Sequence, residues 1–127
     1  MSLVFFLADD DEDDRMLFSE ALVEINPSFE CIMAKNGEEA LFLLNAGLFE
    51  LPDYIFLDLN MPLMNGLQCL AEIKKSSLLK NIPVVIYSTA SRKEYEEESM
   101  KLGAMNFFIK PSDYRGLLQY LRNILNN

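Results

Sequence analysis

Five short apolar runs, each followed by a segment of helical period, constrain this chain more than any other feature. The runs are residues 3–8, 29–34 (more mixed), 54–57, 84–87 and 107–109. Runs one, three and four are apolar without alternation, the pattern of strands covered on both faces in a parallel sheet. Between and after them, apolar residues recur at spacings of three and four. The first set is Leu17, Phe18, Ala21, Leu22 and Ile25; the second is Ala40, Leu41 and Leu44. A weaker stripe follows at Leu67, Leu70 and Lys74, and the last is Leu117, Leu118, Leu121 and Leu125. The segment 91–102 is mostly polar, with Tyr95, Met100 and Leu102 as its large apolar anchors, so its helix is expected to pack most weakly.

Five βα units in 127 residues predict one domain over 1–127, an α/β three-layer sandwich around a five-stranded parallel sheet. Right-handed crossovers leave few topologies, and the flavodoxin-like order 2-1-3-4-5 suits this size. In that order strands 1 and 3 are neighbours at the switch point, where ligands bind beyond the carboxyl ends of the strands.

Composition narrows the function. The chain has no histidine, which removes histidine triads, histidine metal sites and any role as a phosphohistidine donor. A formal charge of −9 disfavours nucleic acid or an anionic membrane surface as a partner. No apolar stretch approaches the roughly 18 residues of a membrane span, and the N-terminal apolar run is too short and lacks a basic leader. A cytoplasmic protein is expected. Cys31 and Cys69 fit no metal or redox spacing and read as buried free thiols.

The chemically unusual residues gather at one predicted edge. Strand 1 ends in Asp9 and Asp10, the first two of six consecutive acids. Strand 3 ends in Asp58, strand 4 in Ser88 and Thr89, and strand 5 in Lys110. Each has an ordinary explanation when taken alone. Acids in a first helical turn favour its positive end, which accounts for Asp13 and Asp14 and in part for Asp11 and Glu12. An Asp after a strand is often a turn residue. Convergence at one edge is what those explanations do not supply.

Two carboxylates about 4 Å apart repel by roughly 4 kcal/mol at an effective dielectric near 20. Three of them call for a cation or for protons. Oxygen ligands without His or Cys suit Mg²⁺, with Mn²⁺ as a substitute. A carboxylate beside such a cation and a lysine can attack phosphorus, because the cations stabilise charge on the transferring oxygens. The Ser88 hydroxyl and backbone N–H groups near Thr89 are candidates for the remaining phosphoryl oxygens.

In these residues the sequence resembles a response-regulator receiver domain of two-component signalling, over essentially its whole length. The matching residues are Asp9 and Asp10, the stretch from Leu57 through Asp58, Asn60 and Pro62 to Gly66, then Ser88, Thr89 and Ala90, and finally Lys110 and Pro111. The resemblance implies that Asp58 accepts a phosphoryl group from a partner's phosphohistidine, held on a sensor histidine kinase or a histidine phosphotransfer protein. It implies that Asp10 binds Mg²⁺ directly and Asp9 largely through water, while Asn60 offers its backbone carbonyl. Ser88 senses the phosphoryl group, Lys110 pairs with it, and Phe107 takes the aromatic switch position. The peptide bond between Lys110 and Pro111 is implied to be cis. Asn60 and Ala90 fall at positions that modulate dephosphorylation in the family.

Three other readings compete. An aspartyl phosphatase of the haloacid-dehalogenase type normally has a second Asp two residues after the first, where this chain has Asn60, and it carries a cap domain. A flavodoxin-like FMN carrier needs a phosphate loop after strand 1, where this chain has acids. An unphosphorylated interaction module of the same fold would not need the set Asp9, Asp10, Asp58, Ser88 and Lys110. With no effector domain after the fifth helix, the expected output is contact with a downstream protein, or onward phosphotransfer, rather than DNA binding or catalysis as an enzyme.

Overall fold

Parallel pairing builds the sheet outward from two strands that are buried throughout. A computed structural model describes residues 2–89 and 92–126. Its elements alternate as β1 (Val4–Ala8), α1 (Glu12–Ile25), β2 (Glu30–Ala34), α2 (Gly37–Asn45), β3 (Tyr54–Asp58), α3 (Gly66–Lys75), β4 (Val84–Ser88), α4 (Lys93–Lys101), β5 (Asn106–Ile109) and α5 (Tyr114–Leu125). The five strands lie in the order β2-β1-β3-β4-β5, every neighbour parallel, as the sequence pattern predicts.

The strand residues divide between two cores by their period of two. Phe5, Leu7, Phe56, Val85 and Tyr87 face α1 and α5 and pack with Phe18, Leu22, Leu117 and Leu121. Phe6, Ala8, Ile55, Leu57, Val84 and Ile86 face the other way, against Ala40 and Leu44 of α2 and Leu67, Leu70 and Ile73 of α3. β1 and β4 are buried along their whole length. The edge strands β2 and β5 are not, which explains their mixed composition.

Helix starts are set by short polar caps. The side chains of Asp11, Asn36, Asn65 and Asp113 each accept a backbone N–H from the first turn that follows. Asn65 and Gln68 complete a reciprocal capping box on α3.

Several expectations need correction. The α3 stripe is stronger than its sequence reading, because Cys69 and Ile73 join Leu67 and Leu70 in the core. Lys74 instead reaches the Lys80 carbonyl at 3.1 Å. In α4, Met100 is exposed, and the one buried residue of the helix is Ser99. Ser99 is small, and its hydroxyl satisfies itself on the Glu96 carbonyl at 2.8 Å, so burial leaves no polar group stranded. Cys69 is buried, but Cys31, on an edge strand, is only partly so. Ser91, expected to open the fourth helix, lies outside the described residues, as do Ala90, Met1 and Asn127. No helix among the described residues is long and apolar enough to cross a membrane.

Candidate functional site

The switch point falls between β1 and β3, where Ala8 pairs with Leu57. The chain therefore leaves these strands with Asp9 and Asp58 side by side. Asp9, Asp10 and Asp58 each present a carboxylate oxygen, and these oxygens all lie within 4.8 Å of one another. Asp9 and Asp58 are buried and Asp10 is exposed.

Backbone donors fix two of the three. The Asp11 N–H donates to Asp9 Oδ1 at 2.9 Å, and the Asn60 N–H donates to Asp58 Oδ1 at 3.2 Å. The other oxygens face Lys110, whose Nζ lies 2.9 Å from Asp9 Oδ2 and 3.4 Å from Asp58 Oδ2. Lys110 also reaches Asp14 Oδ2, at 2.7 Å. Its Nζ lies over the Tyr87 ring, 4.9 Å from the ring centre. Arg15 adds a second cation, donating to the backbone carbonyl of Asp9 at 2.8 Å.

The peptide bond between Lys110 and Pro111 is trans, since the described residues contain no cis peptide. This corrects the cis bond implied by the resemblance. Trans is the lower-energy isomer of an X–Pro bond. The ammonium reaches the carboxylates all the same, from a backbone held by the Lys110 N–H donating to the Ser88 carbonyl at 2.7 Å.

Ser88 is buried at the end of β4, and Thr89, which follows it, is exposed. Asn60 is exposed one step beyond Leu59. Phe107 lies in β5, partly buried against the core that faces α2 and α3. The loop from Asp58 to α3 is drawn in at Gly66, whose N–H donates to the Leu59 carbonyl at 3.0 Å. A Cβ at Gly66 would collide with the Asp58 carbonyl oxygen, so the close approach of α3 to the acid's backbone requires glycine.

Electrostatics follow from this crowding. Burial pushes the Asp58 carboxyl up to about 7; the Lys110 charge pulls it down, and the Asp9 charge pushes it further up. Burial opposes the charge on Lys110, but its bonds to Asp14 and Asp9 and the charge of Asp58 outweigh this and hold its proton more tightly than usual. The carboxylates outnumber the cations around them. Their donors are hard oxygens, which fit a divalent cation such as Mg²⁺ or Mn²⁺.

Asp14 is the residue that the sequence reading missed. It was assigned to the helix dipole, a role that any first-turn acid can fill, yet its side chain turns inward to Lys110. No sequence signal separates it from the other acids of that turn, because what distinguishes it is the direction of its side chain.

Comparison with known proteins places the chain. The family model of the response regulator receiver domain matches residues 5–122, and the chain belongs to that family. It is 32% identical over 125 residues to the response regulator Rcp1 of Synechocystis, covering 95% of this chain and 85% of Rcp1. The Mn²⁺-bound structure of Rcp1 superposes with a TM-score of 0.86 at 29% identity, over 96% of this chain and 91% of that one. The phosphorylated cyanobacterial phytochrome response regulator RcpA gives a TM-score of 0.89 at 32% identity, over 98% of this chain and 91% of that one. A protein-glutamate methylesterase/protein-glutamine glutaminase of Rhodospirillum rubrum is 42% identical over 105 residues, 78% of this chain. The chain spans only 26% of that relative's length.

Proposed function

We propose that this chain is a phosphoacceptor of two-component signalling, acting as one receiver unit over residues 1–127. Asp58 accepts a phosphoryl group from the phosphohistidine of a sensor histidine kinase or histidine phosphotransfer protein, and the signal leaves through a protein-binding surface. The observation that carries this reading is the convergence of Asp9, Asp10 and Asp58 within 4.8 Å, with the Lys110 ammonium 3.4 Å from Asp58.

An Asp58 carboxylate oxygen attacks phosphorus, the phosphorus–nitrogen bond to the donor imidazole breaks, and that imidazole departs with the bonding pair. The Asn60 N–H orients the carboxylate through Oδ1 and leaves Oδ2 turned toward Lys110. Lys110 stands beside that oxygen and stabilises negative charge on the transferring group. Asp9, Asp10, Asp58 and the Asn60 backbone carbonyl would hold Mg²⁺, with Mn²⁺ as a substitute, and the bound ion supplies charge neutralisation at the phosphoryl oxygens. The structure of RcpA in phosphorylated form and that of Rcp1 with Mn²⁺ support both elements by similarity.

The Ser88 hydroxyl and backbone N–H groups at Thr89 bind the phosphoryl oxygens. Phosphorylation adds charge and acceptor oxygens at Asp58, Ser88 shifts toward them, and Phe107 follows into the space released. The surface of α4, β5 and α5 then changes its affinity for a downstream protein. α4, which buries only Ser99, repositions at low cost. The chain acts in the cytoplasm as an acceptor rather than as an enzyme turning over a separate substrate. Neither nucleic acid nor membrane is its target.

The test is incubation with Mg²⁺ and a small-molecule phosphoryl donor, followed by intact mass measurement. One added phosphoryl group, absent in Asp58→Asn and without Mg²⁺, is expected. No addition to the wild type, or equal addition to Asp58→Asn, overturns the reading.

A further inference from the structure

Lys110 divides its ammonium unequally. Its contacts with Asp14 at 2.7 Å and Asp9 at 2.9 Å lie in the range of strong charge-assisted bonds. Its contact with Asp58, at 3.4 Å, lies beyond it. An ammonium has three protons, one for each acceptor, but the two shorter bonds draw it toward Asp14 and Asp9 and leave the contact with the phosphoacceptor the longest of the three.

The two acceptors are not equivalent. Asp9 is fully buried, and its second oxygen is tied to the Asp11 N–H. Asp14 has a side chain 30% exposed, on the first turn of α1. Bulk water can replace Lys110 at Asp14 when the ammonium leaves, whereas Asp9 is closed to bulk water. Asp14 is not needed to cap α1 either, because Asp11 fills that role with its own side chain.

Resting on the phosphoacceptor reading of Asp58, we infer that Asp14 is a positioning residue that competes with Asp58 for Lys110 and thereby weakens the grip of Lys110 on a phosphoryl group. Asp14 acts only through Lys110 and touches neither the acceptor nor the transferring group. Its carboxylate sets how far the ammonium must be drawn before it engages Asp58.

The experiment is calorimetric titration with beryllofluoride, a phosphoryl mimic, at saturating Mg²⁺. Wild type and Asp58→Asn come first: one equivalent bound by the former and none by the latter is the outcome that sustains the phosphoacceptor reading, independently of Asp14. Asp14→Asn and Asp14→Ala are then compared with wild type, their folding checked by circular dichroism. Both variants are expected to bind the mimic about two- to fivefold more tightly, the size of a partly exposed ion pair. In a Lys110→Met background the same substitutions are expected to change nothing. Equal or weaker binding in the Asp14 variants overturns the inference, and so does a gain that persists without Lys110.

Discussion

Lys110 and Asp9 are separated by 101 positions in the chain, and their side chains meet at 2.9 Å. The bond joins the first strand to the end of the last across the middle of the sheet. Asp9 is fully buried, and Lys110 is the cation that its carboxylate meets.

Replacing Lys110 with Met is therefore expected to destabilise the metal-free protein by about 3–5 kcal/mol, the cost of leaving a buried charge without its partner. Urea unfolding in the presence of a chelator measures this. Added Mg²⁺ is expected to recover part of the loss, because binding to the native acids raises native stability by mass action. A Lys110→Met variant as stable as wild type in chelator would contradict the role given to the pair.

Asp58 carries a pH dependence of unusual sign for a carboxylate. Its folded-state pKa, about 7, lies above the ordinary 3.8 because burial disfavours the anion. Between those values the folded protein holds a proton that the unfolded chain releases. Stability contributed by this group is thus full below pH 3.8 and falls as pH rises to about 7. Each pH unit in that window is worth up to roughly 1.4 kcal/mol. In chelator, Asp58→Asn is expected to unfold at higher urea than wild type at pH 8, with the gap narrowing toward pH 5. An unchanged gap across that range would sink the assignment.

Gly66 sits where α3 meets the backbone of Asp58. Gly66→Ala places a methyl against the Asp58 carbonyl oxygen, and backbone atoms there cannot rotate away as a side chain would. A loss of about 1–3 kcal/mol is expected, typical of overpacking, together with weaker Mg²⁺ binding as the loop shifts. Thermal melts with and without Mg²⁺ report both effects.

Burial pushes the thiols of Cys31 and Cys69 up to about 12. Both are therefore protonated and unreactive at pH 8. A thiol reagent is expected to label the native protein slowly, Cys69 more slowly than the half-buried Cys31, and to label both quickly in denaturant. The folded protein also keeps these protons above pH 9, where the unfolded chain begins to lose them, so stability falls from pH 9 toward 12.

The strand runs were legible because burial on both faces leaves a continuous apolar signature, as in Val84–Ser88. The positions of Asp9, Asp10, Asp58 and Lys110 followed from topology, since each lies at or just beyond the carboxyl end of a parallel strand at the same edge. What escaped depended on side-chain direction. Asp14 looks like any acid in a first helical turn until its carboxylate is seen on Lys110. Ser99 and Met100 are adjacent, and hydropathy favours burying Met; but Tyr95 and Leu102, which pack on the core, share a face with Ser99 at spacings of four and three, and that face leaves Met100 outside. Ile73 was hidden by a stripe anchored one residue too late, on Lys74. The trans bond before Pro111 was beyond reach for a different reason: the two isomers differ by only about 0.5–1 kcal/mol, so sequence alone leaves the choice open.

The sheet partitions the interior into two groups of side chains with no shared members, one under α1 and α5 and the other under α2 and α3. Damage should accumulate accordingly. Leu121→Ala and Ile73→Ala lie on opposite sides of the sheet, so their energetic costs should sum rather than compound. For a lineage under selection, this means one half of the molecule can drift toward a new partner without renegotiating the packing of the other. The strands between them, and the acids at their ends, are the part both halves must leave alone.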